Sequence, residues 1–417
     1  MKRWGAVVCA LAIGLGLSGW QPAAGQGAVQ LTHGKIVLAV INDQSGVYAD
    51  ISGKNGVEAV KMATEDYVKK YGQNAIGGAI EVLSADHQNK PDVGASKAAE
   101  FYDRDNANAV IDVPTSSVGI AIAHVAAQKH RLFFGIGPAT TALSNEDCNK
   151  YTFHYGYDTY MLANGTANPV TQKIGKQWYI LYPNYAFGQD MNKSFTAAIQ
   201  KAGGKVMLSD PTPFPNETED FSTFLIKART LAPQLQVIGA MQAGQDLVNL
   251  VKQYNEFGLS KQGIHLAIGL LFDSDITSLT PAALQGTLYT TAWAWNMDPQ
   301  ARTWADEFFA RTKVRPTFAM AGDYSATWQY LEAVRRAGTD DPDKVVAKLE
   351  GYKFNDFFAR HAEIRKQDHV LLHDVYLAQV RAPSEIKEPG DYAKIVQTIP
   401  AGQAFQPLSQ NHCNMAR

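Results

Sequence analysis

The 417-residue chain is poor in cysteine, with three, and nearly balanced in charge, with 38 Lys plus Arg against 40 Asp plus Glu. Three cysteines are too few for a disulfide-dense scaffold or a multi-thiolate zinc framework. A formal net charge of −2 leaves no surplus of cations to neutralise phosphates, so nucleic acid is not an expected partner. No apolar run reaches the roughly 20 residues that span a bilayer; the stretch at 7–17 is too short. GxSxG, Walker, HExxH and paired-cysteine patterns are all missing, so the chain is expected to be no enzyme and to carry no metal and no cofactor. His369 and His373 are four apart, but their segment reads as a strand. Residues so spaced lie about 13 Å apart, too far for one ion, and a structural or surface role is expected for both.

Aromatics are plentiful, with 18 Phe, 18 Tyr and 7 Trp, and exclude a disordered chain. The length suggests two or three domains. Residues 1–25 have the layout of a secretory signal: Lys2 and Arg3, the apolar stretch, then Pro22, Ala23, Ala24 and Gly25. Cys9 lies in that stretch without a convincing lipobox, so a free periplasmic protein cleaved near Gly25 is expected. The GxGxxG pattern of residues 14–19 falls in the same segment, with no preceding strand, and is not a nucleotide site. Cleavage leaves about 392 residues and only Cys148 and Cys413. In an oxidising compartment these two are expected to form a disulfide, the alternative being two free thiols.

The remaining sequence alternates strand-like apolar runs with helical periodicity. Runs at 36–41, 80–83, 109–113 and 132–135 read as strands, and 56–71, 93–102 and 118–128 as helices. The arrangement restarts after a Tyr-rich stretch. Strands are expected at 178–182, 205–208, 237–240 and 265–269, and helices at 191–202, 221–230 and 246–257. Further helices at 303–312 and 325–337 follow, then a late strand at 371–380 able to return to the second sheet and an extended, Pro-punctuated tail. Alternation of this kind implies an α/β fold of two parallel-sheet halves in tandem. Ligands of open α/β sheets bind beyond the carboxyl ends of the strands, so two facing sheets make a cleft.

The loops at those ends are neutral and rich in donors: residues 43–48, ending at Tyr48; Thr115, Ser116 and Ser117, opening a helix; and residues 137–141, with Ala139 and Thr141. Hydroxyls and N–H groups at a helix N-terminus suit a carboxylate, although Thr115 or Ser116 equally suits plain capping. The second half adds His154, Tyr157, Tyr185 and Phe187, an aromatic wall of the kind small-molecule pockets use. His154, at the junction of the halves, is either an ordinary hydrogen-bonded histidine or a partner for a bound anion.

The segments NDQSGVYADISG, DVPTSS, GIGPATT and PNYAFGQD, in this order in an exported α/β tandem, resemble the solute-binding proteins of ABC importers, specifically the branched-chain amino-acid type. The likeness runs from about residue 35 to about residue 379. It implies two Rossmann-like lobes joined by three crossover strands, a ligand trapped between them and delivery to a membrane permease. Lobe 1 would comprise 31–156 and 288–352, lobe 2 157–287 and 353–382, and 383–417 the tail. The resemblance places a carboxylate-binding loop at Thr115, Ser116 and Ser117, a loop for the ligand's polar end at Ala139 and Thr141, and an aromatic lid at Phe187 beside Tyr185. Second-lobe contacts fall near Gln242 or Ala243 and in 268–272, which includes Leu271. Amino-acid binders carry an acid in that last region, against the ligand's ammonium group, and this chain has none there. A buried ammonium without a counter-ion costs several kcal/mol. The expected ligand is therefore a small organic carboxylate, an aromatic one being the favoured case, with Tyr48, Tyr157 and Trp293 as further walls. An amino-acid ligand, or presentation of the ligand to a membrane sensor, stays open. A monomer is expected.

Overall fold

The computed structural model describes residues 1, 29–215 and 218–415. The expected signal segment, Cys9 and the glycine pattern lie outside the described residues. Among the described residues no helix is long and apolar enough to cross a membrane.

The first lobe is built on a five-stranded parallel sheet: β1 (Lys35–Asn42), β2 (Ala79–Asp86), β3 (Ala109–Asp112), β4 (Leu132–Gly135) and β5 (Thr152–His154), in the order β2-β1-β3-β4-β5. β1 is apolar on both faces because helices cover both, the usual state of a parallel strand. Helices α1 (Gly53–Tyr71), α2 (Pro91–Asp103) and α3 (Ser116–Lys129) connect the strands. In α1, Val57, Val60, Ala63 and Tyr67 are buried at helical spacing, as the sequence periodicity predicts.

The second lobe repeats the winding. α4 (Thr159–Lys173) leads into β6 (Gln177–Pro183), β7 (Lys205–Thr212), β8 (Val237–Ala240) and β9 (His265–Ile268), ordered β7-β6-β8-β9 and all parallel. Between them run α5 (Ala186–Lys201), α6 (Ser222–Thr230) and α7 (Gly244–Glu256), followed by α8 (Asp273–Leu279) and α9 (Pro281–Leu284). The helix α4 escapes the periodicity reading. Its buried positions include Thr159, Gly165, Thr166 and Thr171, which give little hydrophobic contrast.

After β10 (Leu288–Thr291) the chain returns to the first lobe. There α10 (Pro299–Thr312), α11 (Phe318–Ala337) and α12 (Pro342–Leu349) follow, with α11 packed along α1. Three sequence expectations need correction here. The segment 371–380 is two strands in different sheets. β13 (Leu371–Leu372) joins β11 (Lys353–Phe354) and β12 (Ala362–Ile364), while β14 (Val375–Val380) pairs antiparallel with β10. Residues 353–372, assigned above to the second lobe, are bridged to β5 through His154 and Val370, on the first-lobe side. The tail is also more than a wrap, because β15 (Ala393–Ile399) completes the β10-β14-β15 sheet.

The histidines 369 and 373 are buried, not surface groups. His369 stacks on Phe153 (4.4 Å between centroids), and His373 Nε2–H donates to the Gly156 carbonyl at 2.7 Å. His373 thereby ties the segment at 156, which leads into α4, to the segment 373–374, which leads into β14.

Cys148 and Cys413 form the expected disulfide, with Cα atoms 5.6 Å apart. The tail has other anchors: Asn411 donates to the Ser144 carbonyl and to Asp368, each at 2.8 Å, and the His412 N–H donates to Asn145 at 3.0 Å. Reduction is therefore expected to lower the melting temperature by only about 2–4 °C per kcal/mol lost, for a loss at or below the usual 2–4 kcal/mol. Calorimetry with and without reductant, alongside non-reducing peptide mapping, checks this.

Candidate functional site

The carboxyl edge of the first sheet is organised by two residues the sequence reading did not single out, Asp43 and Asn89. The Asp43 carboxylate accepts the N–H groups of Gly46 (2.7 Å) and Tyr48 (2.9 Å) and the Asn89 amide (2.7 Å). Asn89 in turn accepts the Thr115 hydroxyl. Thr115 is thus a strut between loops, which corrects its reading as a ligand contact through its hydroxyl. Val113, two residues before it, has φ +70°, a costly conformation for a β-branched residue. Such strain is typical of a turn whose aim matters.

The turn presents the first residues of α3. No side chain caps this helix, so its leading N–H groups and the positive end of its dipole are left for another acceptor. The Ser116 hydroxyl accepts the Thr140 N–H (3.3 Å), which keeps its own proton available for donation. Ser117 is half-buried beside it.

The loop after β4 is held from both lobes. The Tyr157 hydroxyl donates to the Gly137 carbonyl and His154 Nε2–H to the Pro138 carbonyl, each at 2.8 Å. The Ala139 carbonyl accepts the Thr159 N–H at 2.8 Å. Thr141 gives its N–H (2.7 Å) and its hydroxyl (2.9 Å) to Asp190 on α5, which also accepts the Thr159 hydroxyl at 2.6 Å. The polar groups of Ala139 and Thr141 assigned to the ligand by resemblance therefore already have protein partners. Burial pushes the His154 imidazole down to about 4, so it is neutral at pH 7 and brings no positive charge to an anion. Its task is to fix the Pro138 carbonyl.

Aromatic rings close the cleft from the second lobe. The hydroxyls of Tyr48 and Tyr185 meet across the lobes at 2.8 Å. Tyr185 stacks on Phe214 at 3.8 Å, and Phe187 lies tilted against Tyr185 at 5.9 Å. Burial raises both tyrosines well above the ordinary phenol value, so both stay neutral. Deeper in, Phe272 stacks on Phe318 (4.6 Å), whose ring meets Tyr157 edge-on (4.8 Å).

Leu271 is a correction. Leu270 and Phe272 join the hydrophobic cluster that includes Tyr157 and Phe318, while Leu271 packs into the separate core of the second lobe with Leu247 and Ile276. Successive residues of an extended segment point to opposite sides, and the sequence reading took the wrong parity. Trp293 likewise belongs to a core group with Trp304 and Phe357 and donates its indole N–H to the Phe357 carbonyl (2.9 Å). Gln242 is fully buried. Its Nε2 lies 3.4 Å from the Thr212 hydroxyl, and its Oε1 has no partner among the described residues.

The acid absent from 268–272 has a counterpart elsewhere. Asp190, from the PNYAFGQD segment, reaches the Thr141 loop from the second lobe. The spacing of Phe187 and Asp190 on one helical turn was the available signal for it. Phe214, Phe272 and Phe318 gave no such signal, because each stands alone in its segment and only folding brings them together.

The two lobes touch directly. The Gln245 N–H donates to the Val47 carbonyl at 3.1 Å, next to an opening of about 580 Å³ lined by Ser45, Asn89, Pro215 and Gln245 among others. A helix end without a cap, neutral hydroxyls and stacked rings can hold a small anion with an apolar body. No nucleophile–base pair with a free site beside it is formed by these residues.

Comparison with known proteins agrees with this architecture. A crystal structure of a periplasmic binding protein from Burkholderia mallei is 40% identical, covers 92% of this chain and 100% of its own, and superposes with a TM-score of 0.87. A branched-chain amino-acid ABC transporter periplasmic ligand-binding protein from Burkholderia xenovorans LB400 is 35% identical with the same coverages and a TM-score of 0.80. The leucine-, isoleucine-, valine-, threonine- and alanine-binding protein of Pseudomonas aeruginosa is 23% identical over 175 residues, 42% of this chain and 45% of that protein, less than half its length. The family model for periplasmic binding proteins matches residues 35–385, and the chain belongs to that family.

Proposed function

We propose that this protein captures a small organic carboxylate between its lobes in the periplasm and, as a monomer, delivers it to the permease of an ABC importer, an aromatic acid being the favoured ligand. The observation that carries the reading is the uncapped first turn of α3, at Ser116 and Ser117, together with the aromatic side chains Tyr157, Phe187, Phe272 and Phe318 gathered in one buried hydrophobic cluster. Oriented N–H groups and a helix dipole stabilise a carboxylate without a cation. The surrounding loops, 43–48, 113–117, 137–141, 184–188 and 241–245, contain no Lys or Arg.

Asp190 favours a second reading. An acid from the second lobe, placed by Ala139 and Thr141, suits the ammonium group of an α-amino acid whose carboxylate sits on α3. The Burkholderia xenovorans relative is named for branched-chain amino acids, which supports this alternative. Thermal-shift screening decides between the two. Benzoate and hydroxybenzoates at about 100 times their dissociation constant should stabilise the protein by about 2.7 kcal/mol, and leucine and valine by much less. Strong stabilisation by leucine or valine alone establishes the second reading and sinks the first.

A further inference from the structure

The segment 185–190 joins the lobes at two separate points. At one, the Tyr185 hydroxyl meets the Tyr48 hydroxyl of the loop after β1, 2.8 Å away, and both rings face Phe214. At the other, Asp190 Oδ2 takes the N–H and the hydroxyl of Thr141, in the loop after β4, with the Thr140 hydroxyl at 3.4 Å. Phe187 is buried between them. The segment is itself rigidly seated. A Cβ at Gly188 would stand 1.9 Å from the Pro183 carbonyl, so the start of α5 lies directly on the end of β6. What moves with the second sheet therefore moves Tyr185 and Asp190 with it. Both partners on the first lobe lie in loops that edge the cleft.

We infer that Tyr185 and Asp190 are positioning residues that latch the cleft shut and set the balance between open and closed forms, whichever ligand is enclosed. Hydrogen bonds to a carboxylate are the strong ones, and an opened cleft exchanges them for water. The latch rests on the two-lobed capture reading but not on the chemical identity of the ligand.

Small-angle X-ray scattering tests it on the full mature chain, freed of ligand by unfolding and refolding. Asp190→Ala should shift the open–closed balance roughly tenfold towards open, the worth of about 1.4 kcal/mol. Thr141→Val, which removes the hydroxyl bond and leaves the N–H bond, should shift it in the same direction by less, and both should raise the population-averaged radius of gyration. The double variant should open no further than Asp190→Ala alone, because the bond that Thr141→Val removes is already lost with the carboxylate. Tyr185→Phe and Tyr48→Phe should form a second such pair. Lys193→Ala, on the same helix, should leave the scattering unchanged. Melting curves accompany each variant. If Asp190→Ala does not fold, Asp190→Asn with Thr141→Val carries the same comparison. Scattering identical to wild type, opening by Asp190→Ala without opening by Thr141→Val, or a wild type already open without ligand would each overturn the latch. No ligand is needed, so failure of the carboxylate screen leaves this result standing.

Discussion

Gly244→Ala is expected to hold the cleft ajar and weaken ligand binding by about 100-fold or more, with the lobes themselves still folded. Gly244 opens α7 on the second lobe with φ +57°, a left-handed conformation that glycine adopts freely and other residues do not. A Cβ built there lies 2.2 Å from the carbonyl oxygen of Val47 and 3.2 Å from the Tyr48 ring, both on the first lobe. A backbone carbonyl cannot rotate aside as a side chain can. The added methyl can be accommodated only by drawing the lobes apart, which also breaks the 3.1 Å bond from the Gln245 N–H to Val47. Affinity falls by the factor by which the closed form is depopulated, and 100-fold corresponds to about 2.7 kcal/mol. Isothermal titration with the acid that gives the largest thermal shift measures it. An unchanged dissociation constant would show that closure at this point is not needed for binding. The methyl lies at the junction, not in a core, so the melting temperature should change little beyond the roughly 1 kcal/mol cost of the backbone conformation.

Raising the pH from about 5 to 8 is expected to destabilise the protein, and Asp112→Asn should remove the share of that slope that lies below about pH 6. Asp112 ends β3 and is fully buried. One carboxylate oxygen accepts the Asn42 amide (2.9 Å) and the Ser52 hydroxyl (2.6 Å), and the other has no partner among the described residues. Asp323 on α11 is equally buried, with neither oxygen partnered, and both carboxyls approach the position where Gly56 lacks a Cβ, at 2.8 Å for Asp323 and 3.2 Å for Asp112. Burial pushes Asp112 up to about 6, and burial together with the charge of Asp112 pushes Asp323 well above the carboxylate range. A carboxyl whose folded pKa is raised contributes stability in its protonated form. That contribution is whole below the unfolded value of about 4 and is lost as pH rises through 6, up to about 3 kcal/mol for Asp112. His87 and His154 act in the opposite direction. Burial lowers both to about 4, so their contribution is whole above about 6.5 and is lost as pH falls through 4. Between about pH 4 and 6.5 the two contributions oppose each other. Above about 6.5 the histidine part is complete, while Asp158 and Asp273, pushed by burial up to about 7, and Asp275, pushed up to about 8, go on losing theirs, so stability should fall from there to about pH 8. Melting temperatures from pH 4 to 9, for wild type and Asp112→Asn, test it; a flat profile above pH 5 would contradict the buried-carboxyl account.

The repeating alternation of apolar runs and helical periodicity was legible because each parallel strand is covered on both faces and each connecting helix on one. β4 and β8 fall where the sequence places them, and α1 buries the face its spacing predicts. The helix α4 and strand β15 were not legible. The first mixes buried hydroxyls and a glycine with its buried Met161, Leu162 and Val170, which blurs the stripe, and the second is half exposed at a sheet edge. At the site, the loops could be named from their positions after the strands, but the partners of their side chains could not. Thr115 and Thr141 look alike in sequence, as hydroxyls at strand ends. Folding gives the first to Asn89 and the second to Asp190 across the cleft.

The sequence by itself determined a nearly neutral, cysteine-poor chain of alternating strands and helices in two α/β halves, because composition and periodicity are local properties that survive in any conformation. The tertiary structure alone decided which side of 270–272 faces the cleft and which hydroxyls are already spent. It also decided that Asp190, from α5, meets the first lobe at Thr141. Those are contacts between residues tens to hundreds of positions apart, and only the packing of one lobe on the other fixes them.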